Sequence, residues 1–260
     1  MSGEHLEVLA GEIWGHKLAL EIKQSSLPAD VWAERNMEVI KDTPGSLVGL
    51  LELDKQRCYL KYYRTQSWQQ RLWFKAGLSR GSRSYAKARV LLSSDIVVPR
   101  PYACVLARGG MLLLTEAIPN AVDIQTLWDQ GQATGDHSCW GKAGFSLAKL
   151  HNKGFFHGDF KWSNLLLADG KIFLVDLEAV GELSPSGKRR YRDIARYTLN
   201  AEDMGATLES YQAFLQAYLV ATGLEEPEVI KRTQPALNRL RAHHVKKYGE
   251  RGHPLMGVSP

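Results

Sequence analysis

Cysteine is scarce in this chain. Its 260 residues include three cysteines, Cys58, Cys104 and Cys139, which are odd in number and far apart. A disulfide framework needs paired cysteines and a zinc site needs them at short, regular spacing, so the sequence predicts neither. Sparse cysteines without such spacing are typical of a protein that stays in a reducing compartment.

Long apolar runs are missing as well. No segment holds enough consecutive apolar residues to span a bilayer. The first residues, Met1-Ser2-Gly3-Glu4-His5, lack the basic stretch and the apolar run of a secretory signal. We therefore expect a cytoplasmic protein. A chain of 260 residues can bury a substantial core, as one large domain or as two lobes.

Acidic residues are absent from one long stretch, between Lys61 and Ser94. The same stretch has eight basic residues: Lys61, Arg64, Arg71, Lys75, Arg80, Arg83, Lys87 and Arg89. Aromatic residues lie among them. One interpretation is a solvated helical face whose aromatic residues turn to the core. The other is a patch for an anionic membrane surface or a phosphorylated glycolipid. No nucleic acid is expected as a partner, because no recognition motif accompanies the charge.

Apolar patterning predicts mostly antiparallel sheet, with one or two helices, in the first part of the chain. We expect strands at residues 47–53, 57–63, 103–107 and 111–116, and helices at 66–78 and 83–93. The later part reads as mainly helical, with helices at 137–153, 191–200, 208–221 and 227–248. Between them, Asp169-Gly170 predicts a hairpin that joins residues 165–167 to 171–175.

The run His157-Gly158-Asp159-Phe160-Lys161-Trp162-Ser163-Asn164, followed twelve residues later by Asp176, carries the chemistry. The spacing H-x-D-x-x-x-x-N and then D is that of a phosphoryl-transfer loop and its metal-binding carboxylate. Asp159 is the candidate base for an acceptor hydroxyl, and Lys161 the candidate cation for the transferred phosphate. Asn164 and Asp176 offer oxygen ligands for Mg²⁺, and the hairpin between them should bring them together.

His157 is expected to brace this loop rather than to transfer protons. Taken alone, an Asp or Asn here is an ordinary turn residue. The spacing, the intervening hairpin and the apolar run before Asp176 agree with each other and favour the functional interpretation.

At these residues the chain resembles the protein-kinase-like superfamily. More narrowly, it is similar to the lipopolysaccharide kinases of Gram-negative bacteria, which phosphorylate heptose or Kdo sugars of the inner core. Val175-Asp176-Leu177-Glu178 stands where protein kinases have Asp-Phe-Gly, and Cys58-Tyr59-Leu60-Lys61 fits the strand lysine. The narrower likeness rests on Val98-Pro99-Arg100-Pro101, Leu114-Thr115-Glu116-Ala117 and Arg190-Tyr191-Arg192-Asp193-Ile194-Ala195-Arg196.

The resemblance implies an α+β, bilobal protein-kinase-like fold and a single domain over residues 1–260. An N-lobe of about 1–116 would hold an antiparallel sheet with helices, and a C-lobe of about 119–260 would be mainly helical. It also implies ATP as cofactor, with Lys61 on its phosphates and the backbone from Glu116 to Ile118 as the hinge that holds it. Asp193 would support the catalytic loop from the following helix.

Two features of the predicted nucleotide site depart from the kinase pattern, the glycine-rich loop before Lys61 and the carboxylate that pairs with this lysine. No G-x-G-x-x-G precedes this lysine, so phosphate cover would come from the shorter turn Pro44-Gly45-Ser46. The family match places Ser84 or Tyr85 where kinases have a helix glutamate. Lys61 would then pair with Asp176 or with another carboxylate.

A third departure concerns the acceptor. Sixteen residues separate Asp176 from Asp193, and no Ala-Pro-Glu follows, so the long segment that docks protein substrates is missing. We therefore expect an ATP- and Mg²⁺-dependent kinase of a lipopolysaccharide inner-core sugar, cytoplasmic and peripheral on the inner membrane. The alternatives are a protein or small-alcohol kinase of the same fold, and a weakly active or pseudokinase binding module.

Overall fold

The computed structural model describes residues 5–65, 79–132, 138–250 and 252–257. The chain divides into two compact units, Met1–Ser93 with Val98–Pro119 and Ser94–Val97 with Asn120–Pro260. The first is built on an antiparallel sheet and the second is mainly helical, which confirms the predicted α+β class. The helix predicted at residues 66–78 lies outside the described residues.

A six-stranded antiparallel sheet forms the first unit, in the order β1-β5-β6-β4-β3-β2. The strands are β1 (Glu7–Ala10), β2 (Glu38–Thr43), β3 (Ser46–Leu53), β4 (Gln56–Arg64), β5 (Pro101–Ala107) and β6 (Gly110–Glu116). The four predicted strands are confirmed as β3 to β6. Lys61 lies on β4, in the middle of the sheet, where it pairs with Val48 of β3 and Leu113 of β6.

Three helices lie among the described residues of this unit, so the prediction of one or two was wrong. They are α1 (Glu12–Ser25), α2 (Ala29–Asn36) and α3 (Arg80–Ser93). Helices α1 and α2 bury apolar side chains such as Leu18 and Trp32 on one face of the sheet. Helix α1 escaped detection because its buried face also uses Gly15 and Ala19, which are too small to stand out as an apolar stripe.

Strand β2 also escaped detection. Most of its side chains are exposed, including Val39 and Ile40, so it shows no alternation of apolar and polar residues. Backbone pairing with β3 defines this edge strand instead.

The helices of the second unit are α4 (Ile124–Asp129), α5 (Ser138–Asn152), α6 (Lys188–Asp203), α7 (Leu208–Thr222) and α8 (Glu226–Tyr248). Four of them pack in two main pairs. Helix α5 packs on α7, and α6 packs on α8. A Cβ added at Gly144 of α5 would lie 2.1 Å from the carbonyl oxygen of Phe214 in α7, so this close approach requires glycine. The four helices predicted here are confirmed.

Short strands complete this unit: β7 (Val122–Asp123), β8 (Phe155–Phe156), β9 (Leu165–Ala168), β10 (Lys171–Leu174) and β11 (Gly181–Glu182). Behind them lies an aromatic core. Trp162, in the His157-to-Asn164 run, is fully buried, with its ring centroid 4.6 Å from that of Trp140. Tyr197 of α6 stacks on Phe214 at 3.6 Å. The core therefore anchors the run through its own tryptophan.

Over the ranges that the structure describes, no helix combines the length and the apolar character needed to cross a membrane. The three cysteines are buried free thiols.

Candidate active site

The hairpin after the His157-to-Asn164 run has the predicted form. Strands β9 and β10 pair antiparallel, and the turn residues Asp169 and Gly170 have φ angles of 48° and 71°. Two left-handed residues in a row are what a tight two-residue hairpin turn requires. The Val175 N–H donates to the carbonyl oxygen of Asn164 at 3.1 Å. The hairpin therefore returns the chain beside Asn164 one residue before Asp176.

Asp159 lies at the centre of a group of donors. Asn164 Nδ2 donates to Asp159 Oδ2 at 3.1 Å and to the Asp159 carbonyl oxygen at 2.9 Å. Lys161 Nζ lies 3.0 Å from the same Oδ2, and Arg196 Nη1 lies 3.0 Å from Oδ1. The structure thus brings together three residues of the motif, Asp159, Lys161 and Asn164, and adds Arg196, which sequence reasoning did not name.

Asp193 of α6 holds the backbone of the loop. Its fully buried carboxylate accepts from the His157 N–H at 2.6 Å and from the Gly158 N–H at 2.8 Å. Gly158 has φ 83°, and a Cβ there would lie 2.7 Å from the carbonyl oxygen of Ala179. The loop therefore needs glycine at this point and a carboxylate beside it. The supporting role stays our prediction for Asp193, and these two contacts favour it.

His151 extends the same network into the core. Its Nε2 lies 3.3 Å from Asp193 Oδ2 and its Nδ1 lies 2.9 Å from the Tyr218 hydroxyl. The partners imply a neutral ring, with Nε2–H donating to the carboxylate and Nδ1 accepting from tyrosine. Burial lowers the pKa of His151, and the hydrogen bond to Asp193 opposes this effect.

His157 is fully buried as well. Its Nδ1 accepts from the Asp159 N–H at 3.3 Å. Burial lowers the pKa of His157 against the opposing fields of Asp193, Asp159 and Asp176. A neutral, enclosed imidazole bound to the loop backbone suits a brace, and the brace stays our prediction for this residue.

Asp176 has an unusual backbone. Its φ and ψ are 60° and 55°, in the left-handed region, and it precedes a short 3-10 helix, Leu177–Ala179. A non-glycine residue pays about 1 kcal/mol or more for this conformation, although Asp tolerates it better than most. Strain of this kind is concentrated at functional sites, which favours a role for the exposed carboxylate.

Asn164 and Asp176 suit a magnesium ion. Asn164 Nδ2 donates to two oxygens of Asp159, so the amide oxygen, Oδ1, is the atom of this side chain that is suited to a cation. No cluster of three or more His, Cys, Asp or Glu suited to a metal occurs within the described ranges. Mg²⁺ does not need one, since proteins commonly hold it through one or two carboxylates plus substrate phosphates. The donor set therefore fits Mg²⁺ bound together with a nucleotide.

The other predicted nucleotide residues belong to the first unit. Lys61 Nζ lies 4.9 Å from the ring centroid of Tyr63, its neighbour on the same face of β4. Glu116 ends β6, where its N–H donates to the Arg100 carbonyl oxygen at 2.8 Å. Its Oε2 accepts from the Arg100 N–H at 3.2 Å. Ile118 follows and is half-buried.

Helix α3 contains no acid, which extends the departure seen in the sequence. Ser84 is buried, and Tyr85 packs against the apolar cluster that includes Tyr63 and Met111. Arg83 on the same helix is exposed. In this helix the tyrosine turns inward while the arginine is exposed, and the patch for an anionic surface stays a prediction.

The short turn ahead of Lys61 is tied to the strand that carries this lysine. Pro44 and Gly45 form the turn between β2 and β3, and the Arg64 N–H donates to the Gly45 carbonyl oxygen at 3.0 Å. The Arg64 guanidinium also pairs with Asp42. The turn thus has a fixed place at the end of β4.

Sequence reasoning missed two residues of α6 that contact the loop. Arg196 contacts Asp159, and Asn200 Oδ1 accepts from the Trp162 N–H at 2.8 Å. A signal was present, because Asp193, Arg196 and Asn200 follow each other at helical spacing on a predicted helix. The three residues therefore share one face of the helix. Since Asp193 was expected to contact the loop, the other two could have been expected to face it as well.

Comparison with known proteins gives a consistent family. Residues 29–218 match the model described as "Lipopolysaccharide kinase (Kdo/WaaP) family". A 3-deoxy-D-manno-octulosonic acid kinase of Xanthomonas campestris pv. campestris (strain B100) is 32% identical over 132 residues, which are 49% of this chain and 52% of the relative. The match thus spans about half the length of that relative.

A second relative covers more of the chain. The 3-deoxy-D-manno-octulosonic acid kinase of Vibrio vulnificus (strain YJ016) is 26% identical over 211 residues, 76% of this chain and 87% of the relative. Among solved structures, "WaaP in complex with acyl carrier protein" is similar with a TM-score of 0.57 and 17% identity. It covers 82% of this chain and 89% of that one, so the likeness extends over most of the fold.

Proposed function

The chain belongs to the lipopolysaccharide kinase (Kdo/WaaP) family, and from this premise we propose that it transfers the γ-phosphoryl group of ATP to a sugar hydroxyl of the lipopolysaccharide inner core. The observation that carries the proposal is the Asp159 carboxylate, held by Lys161 and Asn164 within a motif that fits phosphoryl transfer. The names of the two relatives point to 3-deoxy-D-manno-octulosonic acid as the acceptor sugar.

Asp159 orients the acceptor hydroxyl and takes its proton. As the acceptor oxygen forms its bond to the γ-phosphorus, the bond from that phosphorus to the bridging oxygen of ADP breaks. Lys161 Nζ, 3.0 Å from the carboxylate, lies where it can neutralise charge on the transferred group. Positioning and charge neutralisation are the main requirements of phosphoryl transfer, so a fixed carboxylate beside a lysine is the expected equipment.

Asn164 and Asp176 would hold Mg²⁺, and Lys61 would bind the nucleotide phosphates. When bound, the metal neutralises phosphate charge and orients the nucleotide. The backbone from Glu116 to Ile118, which follows the last strand of the sheet, would hold the adenine as a hinge. These assignments rest on the family resemblance together with the amide and carboxylate oxygens described above.

A glycan acceptor agrees with the shape of the segment after Asp176. The sixteen residues from 177 to 192 hold one short 3-10 helix, the two-residue strand β11 and the first turn of α6. They leave little room for the long docking segment of protein kinases. A lipid-linked acceptor would place the enzyme at the cytoplasmic face of the inner membrane.

An acceptor panel tests the proposal. The purified protein with ATP and Mg²⁺ is offered a glycolipid bearing 3-deoxy-D-manno-octulosonic acid, a heptose-bearing core, a mixed peptide library and glycerol. Mass spectrometry locates any added phosphoryl group. We expect transfer to a core sugar, and transfer confined to peptides or glycerol would overturn the proposal.

A further inference from the structure

We propose that Arg196 is a specificity-determining residue that binds a carboxylate of the acceptor sugar beside the hydroxyl that Asp159 activates. This inference rests on the proposed function and names the chemical class of its acceptor, an acidic sugar. The contact between Arg196 and Asp159 is one that the catalytic motif alone does not require.

The contact divides the Asp159 carboxylate into two sides. Oδ2 is held by Lys161 at 3.0 Å and by Asn164 at 3.1 Å, both from the loop itself. Oδ1 is held by Arg196 at 3.0 Å, from helix α6. A base must present one oxygen to the hydroxyl. If Arg196 alone moves away, Oδ1 becomes available to the hydroxyl. Oδ2 becomes available only if both Lys161 and Asn164 move away.

Charge around this carboxylate favours an additional anion. Lys161 and Arg196 place two cations on one carboxylate, and both side chains are 43% exposed. Arg192, one turn earlier on α6, is exposed, and so is Lys188 one turn before that. Like charges four residues apart destabilise a helix slightly, so this row has no advantage for folding alone. Its field attracts anions toward Asp159.

The charged groups that lie among these residues of α6, from Arg189 to Asp193, do not cancel this row. Arg189 lies 5.1 Å from the ring of Phe156, and Arg190 donates to the carbonyl oxygen of His151. Asp193, the first acid of the helix, is fully buried and engaged with the loop backbone. The exposed face from Lys188 to Arg196 therefore carries a single sign of charge.

Guanidinium chemistry suits a carboxylate ligand. Arginine offers five N–H donors in a planar fork that matches a carboxylate, and Arg196 uses Nη1 on Asp159. The named relatives act on an octulosonic acid, which carries a carboxylate at neutral pH. When Arg196 binds that carboxylate, its guanidinium leaves Oδ1 of Asp159. Oδ1 can then accept a hydrogen bond from the hydroxyl of the same sugar. Recognition and activation are then coupled through one side chain.

A purely structural ion pair is the competing explanation. A partly exposed pair of this kind contributes about 0–1 kcal/mol. In that case Arg196 would affect all acceptors alike, because its only task would be to orient Asp159. The two explanations therefore differ in how the acceptor's carboxylate changes the effect of a substitution.

The test uses two soluble acceptors that differ in one group, a glycoside of 3-deoxy-D-manno-octulosonic acid and its methyl ester. kcat and KM are measured at saturating ATP for the wild type, Arg196→Gln and Arg196→Lys, with Arg239→Gln as an exposed control on α8. For the wild type we expect kcat/KM about tenfold or more higher with the acid, the range of a charge-assisted hydrogen bond. Arg196→Gln should raise KM for the acid about tenfold and leave KM for the ester unchanged.

Arg196→Lys, which keeps the charge without the fork, should lie between the two. It also supplies the answer if Arg196→Gln fails to fold by circular dichroism. Equal loss of kcat on both acceptors, with the preference for the acid intact, would overturn the inference and leave the kinase proposal standing. A wild type that phosphorylates acid and ester equally would do the same. A wild type that phosphorylates neither glycoside but transfers to the heptose-bearing core overturns the inference alone, whereas no transfer to any core acceptor overturns the proposed function as well.

Discussion

The Asp193 carboxylate accepts a hydrogen bond of 2.6 Å from the backbone N–H of His157, although thirty-five residues of chain lie between the two. The same carboxylate accepts from Gly158 at 2.8 Å and contacts His151 at 3.3 Å. A single fully buried acid thus satisfies two loop amides and a core histidine. The His157-to-Asn164 run is therefore held in shape by a residue of the helix that follows it.

Asp193→Asn should therefore lower both the free energy of unfolding and the kcat of the protein. Asparagine replaces one acceptor oxygen with a donor group, which leaves a loop N–H without an acceptor at a cost of about 2–3 kcal/mol. Urea unfolding and kcat measure the two effects. The matched control is Asp203→Asn on the same helix, whose 21%-exposed side chain pairs with His244. If both variants lose the same stability, Asp193 has no special place in the loop.

Asp176→Asn should abolish the magnesium-dependent part of nucleotide binding and leave the fold unchanged. Asparagine tolerates the left-handed backbone at φ 60° but brings no negative charge to the metal. Thermal shift with ATP, with and without Mg²⁺, reports the loss because bound ligand raises apparent stability. The control is Asp169→Asn, an exposed left-handed residue at φ 48°. A magnesium-dependent shift that survives in Asp176→Asn would contradict the assignment.

Lys61→Ala should weaken nucleotide binding even without Mg²⁺. The ammonium group compensates phosphate charge directly, so we expect about a tenfold or greater rise in the Kd of ATP. Titration with a fluorescent ATP analogue measures it. Lys41→Ala, an exposed residue of the edge strand β2, controls for the loss of one positive charge. Equal affinity of the two variants would exclude Lys61 from the nucleotide site.

Stability should fall in mild acid. The pKa values of His151 and His157 are lowered by burial from the ordinary 6.5, so the folded protein keeps both rings neutral while the unfolded chain takes up protons. This stability is complete above pH 6.5 and is lost as the pH falls toward the folded pKa values. Each histidine contributes a slope of up to about 1.4 kcal/mol per pH unit.

Urea unfolding at pH 7.5, 6.5 and 5.5 measures this slope. Asp42 and Asp95 do not interfere, because hydrogen bonds from Arg64 and Lys149 lower their pKa values below 3.8. His151→Gln should reduce the slope, and His16→Gln, at an exposed site of α1, should not. A slope that His151→Gln leaves unchanged would mean that this buried ring is not the source.

The hairpin after the His157-to-Asn164 run was predictable because local chemistry determines it. The turn Asp169-Gly170 specifies a tight hairpin, and a hairpin brings its two ends together. This argument uses a short stretch of sequence, and the antiparallel pairing of β9 with β10 confirms the hairpin.

Long-range partners were harder to predict. Arg196 and Asn200 contact the loop only because helix α6 packs behind it, and a single sequence does not report which helix faces which loop. Helix α1 was missed because small residues on its buried face weaken the apolar pattern. Strand β2 was missed because pairing with its neighbour, rather than burial, defines an edge strand.

We expect Asp159 to accept the proton of a core-sugar hydroxyl while the phosphoryl group moves from ATP. Radiolabelled γ-phosphoryl transfer to a glycolipid bearing 3-deoxy-D-manno-octulosonic acid tests this for the wild type and for Asp159→Asn, with Asp129→Asn as an exposed control. We expect Asp159→Asn to lose about 10²–10⁴-fold in kcat with ATP affinity nearly unchanged. Transfer by Asp159→Asn at the wild-type rate, or no transfer to the glycolipid by the wild type, would contradict the claim.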